Sequence, residues 1–265
     1  MNVFLQELRL RRLSTIVWSV VMVAFMYLSM AKYDTLAKDA AASQQLMDAF
    51  PDTIKAVFGM TGLDLATVPG YVGICFIFIA VLLAVHGGLL GASVVGHEES
   101  DHTTEFLYVK PRQRDSILTQ KLLAGTCLIV IVWAATALGT YGSIVQFATM
   151  DGFFGDFTRF MLAALIIQVT TYAIGLFVAS SIQRASKAER VVAVVIALWY
   201  SLYVLANLTP DIAWLHYGSV FSYFDAADIL NAHALKSHYV IGCLGASIIL
   251  VAMSYYFHRR RDLRI

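Results

Sequence analysis

A chain of 265 residues that is 59% hydrophobic and only 14% charged departs from an ordinary globular domain, which is about 45–50% apolar and about 25% charged. That balance excludes a free soluble domain and places the chain in a bilayer, where only helices or closed barrels satisfy every backbone group. The formal net charge of +1 gives no reason to expect a nucleic-acid partner.

The first thirteen residues mix Phe4, Leu5 and Leu8 with Arg9, Arg11 and Arg12. They read either as a short amphipathic helix lying along the inner membrane surface, near anionic lipid, or as a plain juxtamembrane anchor. Apolar runs then follow at 14–32, 70–95, 117–147, 158–182, 189–208 and 238–257. Each suits the roughly 20 residues a spanning helix needs, whereas a barrel would show alternating runs of about ten. No small-x-small cleavage site follows the first run, so it is expected to stay in the mature protein. The expected fold is therefore all-α: a polytopic membrane protein with six transmembrane helices and a single transmembrane domain over 1–265.

Six crossings put both termini on one side. Arg9, Arg11, Arg12, Lys110, Arg112, Arg114, Lys121, Arg184, Lys187, Arg190 and the cluster Arg259, Arg260, Arg261 and Arg264 gather there, against Lys32, Lys38, Lys55, Arg159 and Lys236 on the other side. The excess of Lys and Arg assigns the first side, with both termini, to the cytoplasm of a cell membrane.

Between the spans, the outer loop at 33–69 carries Leu46, Met47 and Phe50 before Pro51, then Ile54, Val57, Phe58 and Met60, which predicts two short amphipathic helices. In the second span, His86 is an ionisable residue flanked by Gly87, Gly88 and Gly91; it marks either a pathway or close helix packing. Gln168, Thr170, Thr171 and Tyr172 form a polar patch in the fourth span that either lines a substrate path or holds helices together. An outer insertion at 209–237 brings Trp214, Tyr217, Phe221, Tyr223 and Phe224 to the headgroup level, and Asp225 stands where a helix N-cap belongs, with Asp228 beyond it. Cys75, Cys127 and Cys243 all fall within spans and read as small buried apolar residues.

Several chemistries can be set aside. Gly91 to Glu98 has the two glycines of a phosphate-binding loop but lacks its Lys-Ser/Thr, so no ATP or other cofactor is expected on this chain. His97 and His102 stand five residues apart, not the four that put two histidines on one helix face around zinc, so no metal site and no catalytic residue is expected. No carboxylate stands at mid-membrane depth, as an ion-coupled carrier would require. Any driving force must come from outside the membrane plane.

The polar segment at 96–116 between the second and third spans is where such a force would enter. Glu98 and Glu99 end the second span, Thr104, Phe106 and Leu107 offer hydroxyl and apolar groups, Pro111 stops the segment, and Arg112 and Arg114 lead into the third span. This is either a short amphipathic helix able to transmit a rigid-body push or a solvated turn. Its run Glu98-Glu99, Thr104-Glu105-Phe106-Leu107, Lys110-Pro111, Arg114, Ile117 and Lys121 resembles the signature of ABC-2 type transporter permeases. Phe50-Pro51 with Val57-Phe58-Gly59 and Gly70-Tyr71, and Tyr217 to Asp225 with Asp228-Ile229-Leu230, are similar to two further stretches of that family. Ser219-Val220-Phe221 departs from the Ser-Pro-Phe of many relatives, which implies a less kinked outer turn.

The resemblance implies an exporter subunit. Two six-span permeases, identical or paired with a sister, would associate with two ATPase subunits that bind ATP and Mg²⁺. By the same resemblance Thr104, Glu105, Phe106 and Leu107 would contact the ATPase, Glu98, Glu99, Lys110 and Arg114 would hold the coupling helix, and Phe221, Asp225 and Asp228 would shape an outer gate. His86, Gln168, Thr171 and Tyr172 are the candidates for a substrate path. The mostly aliphatic and aromatic interior favours an amphipathic or apolar cargo: a drug, a peptide or a lipid-like molecule. Two readings from other classes stand beside this one: an integral membrane enzyme acting on lipid through His86, His97 and Glu98, and a toxin-binding immunity protein.

Overall fold

The computed structural model describes residues 3–38, 45, 47–100, 114–182, 185–208 and 210–260. Six of its helices are long and apolar enough to cross a bilayer: α1 (Val3–Ala37), α3 (Val68–Ser100), α4 (Arg114–Phe147), α5 (Phe154–Ser181), α6 (Ala185–Leu208) and α9 (Ser237–Arg260). The shortest spanning stretches, of 22 and 23 residues, rise about 33–35 Å, enough to cross a hydrocarbon core of about 30 Å. Helices α1, α3 and α4 hold 35, 33 and 34 residues, or roughly 50 Å, so they project beyond it.

The interfacial helix expected over 1–13 is not a separate element. Helix α1 runs unbroken from Val3, because no Gly or Pro interrupts residues 3–37 and nothing forces a bend. Its Leu5, Leu10 and Leu13 face outward while Glu7 is turned inward and buried.

Helices α3 and α5 form the centre. In each, 67% of the most apolar window is buried, against 17–33% for the other four spans, which therefore surround the pair with one side open. The α3–α5 contact is the most extensive in the molecule, followed by α1 on α4 and α9 on α5. Glycine makes the central contact close. A methyl group on Gly91 would strike the carbonyl oxygen of Tyr172, and one on Gly175 would strike that of Gly88, so the two backbones touch directly, as small residues allow between membrane helices. Tyr172 then fills the space beside Gly125 of α4 and donates its hydroxyl to the Leu122 carbonyl at 3.0 Å. Trp133 Nε1 donates to the Met161 carbonyl at 2.8 Å, joining α4 to α5 a second time.

At the end of the molecule away from α1's start, the connections are folded rather than loose. Helix α2 (Asp52–Val57) follows Pro51 and stops in a Schellman turn: Gly59, at φ +62°, lets its own N–H reach the Ala56 carbonyl and the Met60 N–H reach that of Lys55. This matches the second of the two short outer helices expected from sequence. The insertion after α6 forms a 3₁₀ segment (Pro210–Gly218), a single turn α7 (Val220–Tyr223) and α8 (Ala226–Ala232). Trp214 and Tyr217 are exposed, as expected of rings at the headgroup level, but Phe221 and Phe224 are fully buried. Helix α8 explains the difference: it packs against α3 and α5, and this end of the bundle is closed over by the two rings.

Replacing Gly91 or Gly175 with Ala should destabilise the purified protein by about 1–3 kcal/mol, the usual cost of overpacking. Gly242→Ala is the control: nothing lies within 4 Å of the added methyl, so helix propensity alone acts, worth about 1 kcal/mol in the stabilising direction. Thermal unfolding in detergent would separate them, and equal melting temperatures for all three would contradict the glycine seam.

Candidate functional site

The candidate residues fall in three places. The segment linking α3 to α4 starts and ends on the same side of the bundle. Of Glu98, Glu99 and Arg114 the structure describes the backbone alone, with Glu98 and Glu99 in the last turn of α3 and Arg114 opening α4. Thr104, Glu105, Phe106, Leu107 and Lys110 lie outside the described residues.

The roots of that segment are held by a polar cluster that sequence reading did not single out. Lys121, one helical turn beyond Ile117 and buried, donates from Nζ to the Val94 carbonyl at 2.9 Å, bridging α4 to α3. Glu7 of α1, also buried, places Oε1 3.7 Å from Lys121 Nζ and accepts at Oε2 from Arg11 Nε at 3.1 Å. Arg11 in turn donates to Ser93 Oγ at 2.6 Å. On the outer flank of α4, Asp115 receives a forked pair of bonds from Arg259 of α9, Nε at 3.0 Å and Nη2 at 2.6 Å, and Thr119 pairs with Tyr255 at 2.8 Å. The signals in the sequence are Lys121, the last residue of the signature-like run, and the i, i+4 spacing of Glu7 and Arg11, an acid inside an otherwise basic stretch.

The intramembrane candidates do come together, in a packed seam. Gln168 Nε2 sits 2.8 Å from His86 Nδ1; the amide donates, so Nδ1 accepts and the ring proton belongs on Nε2. The His86 ring meets the edge of Trp18 of α1, centroids 5.4 Å apart. Thr171 bonds back to the carbonyls of Ile167 and Gln168, at 3.1 and 3.0 Å. His86, Gln168, Thr171 and Tyr172 are all buried, and the glycines beside His86 leave no space between α3 and α5. Of the two readings the sequence left open for these residues, the geometry favours helix glue.

At the far end, Asp225 caps α8. Its Oδ1 accepts from the N–H groups of Ala227 and Asp228 at 2.9 and 3.3 Å, and its Oδ2 accepts from the Tyr203 hydroxyl at 3.0 Å. Burial pushes this carboxyl above its ordinary pKa, opposed by the Tyr203 and amide hydrogen bonds. Asp228 pairs with Lys236 at 2.7 Å, which raises the lysine. Phe221 packs edge-on to Tyr200. A neighbouring lock was missed in the sequence: buried Asp156 of α5 is held by Arg159 at 2.7 Å and by His233 at 2.9 Å, and His233 sits at φ 47° where α8 ends.

Among the described residues no group of three or more His, Cys, Asp or Glu is placed to hold a metal. A family model described as "ABC-2 family transporter protein" matches residues 1–263. No curated protein matches the chain.

Asp225→Ala should cost about 1 kcal/mol through loss of the cap, and Asp225→Asn only a few tenths, since Asn caps as well. The raised carboxyl adds a pH signature. The folded state prefers its protonated form, so its contribution is fullest at acid pH and falls as pH rises through the raised pKa. The Asn variant should therefore gain on wild type over that rise, and melting curves collected across pH would check both statements.

Proposed function

Because the chain belongs to the ABC-2 family of transporter proteins, matched from residue 1 to 263, we propose that residues 96–116 are the point where a separate ATPase drives this permease. The family supports a membrane permease subunit working with an ABC ATPase. In our reading Thr104, Glu105, Phe106 and Leu107 meet a cleft on that ATPase, while Glu98, Glu99, Lys110 and Arg114 hold the segment's ends. ATP and Mg²⁺ belong to the ATPase. Two ATPase copies serve two permease subunits, identical or paired with a sister, in a cell membrane with both termini in the cytoplasm.

The observation that carries this reading is the convergence of α3 and α4, whose ends are pinned to α1 and α9 at the two roots of that segment. A push on that segment meets four helices at once. Among the described residues the acidic side chains of the spans stand near helix ends, namely Glu7, Asp34, Asp115, Asp156 and Glu189, which supports a driving force applied outside the membrane.

We assign export of an amphipathic or apolar molecule. Exposed apolar side chains on α1, α4, α6 and α9, such as Val20, Leu138, Leu198 and Ile248, give a path between two permease subunits its apolar walls. Phe221, Asp225 and Asp228 shape its outer gate from within each subunit, by fixing α7 and α8 over the bundle end. His86 and Gln168 keep α3 and α5 together, Thr171 packs against Gly87 of that seam, and Tyr172 ties α5 to α4. The lipid-enzyme reading loses its geometry, because His86 and His97 lie eleven residues apart on one helix, about 16 Å along its axis, too far to act on one bond.

Gentle purification from the native membrane followed by mass spectrometry should recover a Walker-type ATPase with wild type, and lose it with Glu105→Ala/Phe106→Ala while the permease stays inserted. Undiminished ATPase recovery with the double variant would overturn the docking assignment.

A further inference from the structure

Glu7 is a buried acid in a stretch whose other charges are all basic. Its neighbours explain its position. Lys121 and Arg11 both bring cations to it, and each cation also grips the end of α3: Lys121 through the Val94 carbonyl, Arg11 through Ser93 Oγ. Val94 and Ser93 lie just before the coupling segment and Lys121 just after it. The cluster thus straddles the base of the segment, joining its two roots to each other and both to α1.

We propose that Glu7 is a positioning residue that makes the first turns of α1 and the two roots of the coupling segment one rigid unit, so that α1 travels with the segment when the ATPase moves it. The inference rests on the reading of residues 96–116 as the ATPase-driven segment.

Charge explains why the residue is an acid. Among the described residues Glu7 brings a formal −1 and Arg11 and Lys121 +1 each, so these three together stand at +1. Taking away the acid leaves two cations facing each other in a buried place, the situation in which one missing partner disrupts most. Removal of Lys121's charge instead leaves Glu7 and Arg11 as a neutral pair. Removing both charges restores +1. The unit should therefore fail in a definite order: worst for Glu7→Gln, least for Lys121→Gln, with the double variant between them. Loss of packing alone would make the double variant the worst of the three.

The order can be read directly as a distance. Spin labels at Leu10→Cys of α1 and Leu123→Cys of α4, both exposed, are introduced with Cys75, Cys127 and Cys243 replaced by Ala. Labelled chains are diluted with unlabelled ones so that each complex carries one pair. In the wild-type complex with its ATPase we expect one narrow distance, the same without nucleotide and after trapping with ATP, Mg²⁺ and vanadate. Glu7→Gln should lose the single narrow distance and make it depend on nucleotide, Lys121→Gln should keep it, and the double variant should recover part of it.

A narrow, nucleotide-independent distance in Glu7→Gln overturns the proposal, as does a wild-type distance that changes on trapping. The parent reading fails separately. If Glu105→Ala/Phe106→Ala still retains the ATPase, docking is elsewhere, and the nucleotide-free distances still decide whether Glu7 locks α1 to α4. If docking needs that pair but Glu7→Gln leaves the distance narrow, only the role of Glu7 is lost.

Discussion

Direct backbone contact between α3 and α5 is the constraint on which the rest of the molecule depends. In a bilayer, apolar surface gives helices little reason to associate, because lipid tails solvate leucine as well as protein does. Close approach of backbones and a few interhelical hydrogen bonds have to supply the attraction. Gly87 and Gly91 on one helix and Gly175 on the other remove the side chains that would hold the axes apart, and the His86–Gln168 bond fixes the register of the seam. Once α3 and α5 lie against each other, α4 docks through Trp133 and Tyr172, α1 follows α4, and α9 covers the remaining flank of α5.

The spans were legible because each is a long apolar run, a signal that survives any detail of packing. Boundaries were less so. Hydropathy starts the first span near residue 14, since Glu7, Arg9, Arg11 and Arg12 count as polar wherever they point; the helix begins at Val3 because Glu7 and Arg11 find partners on α3 and α4, residues far away in the chain. The same blindness hid the cluster altogether. A sequence reveals that an acid stands four residues before a base, but not that a lysine more than a hundred residues later completes the group. Asp225 is the opposite case. A helix cap depends only on the residues that follow it, so its role could be read from local pattern, and the structure shows that bond in place. Phe221 and Phe224, taken for interfacial rings, are buried because α8 folds back onto α3 and α5, which is a tertiary event.

For the candidate site, family resemblance and local chemistry pointed to residues 96–116 as the segment we propose the ATPase drives, and the structure adds what lies at its two roots. Sequence placed the driving contact between two spans. The structure ties those spans to α1 by a buried ion cluster and to α9 by the Arg259–Asp115 fork, so four helices meet at one end. The two ties differ in kind. Asp115 and Arg259 are largely open to solvent, where ion pairs contribute little and are weakened by salt. Glu7 and Lys121 are shielded from water, and screening reaches them far less.

The two ends of the bundle are consequently built for different tasks. Where α3 ends and α4 begins, charges and hydrogen bonds bind the helix ends into one block. At the other end, short helices lie across the bundle, held by Asp225, by the Asp156–His233–Arg159 group and by Phe221 and Phe224. Between them, the α3–α5 seam has no slack, since packed backbones cannot slide or compress without collision. In the reading proposed above, a force applied to residues 96–116 is therefore not absorbed locally. It would tilt the central pair as a body, carrying the short helices that rest on it, and the displacement would reach the exposed apolar faces of α1, α4, α6 and α9.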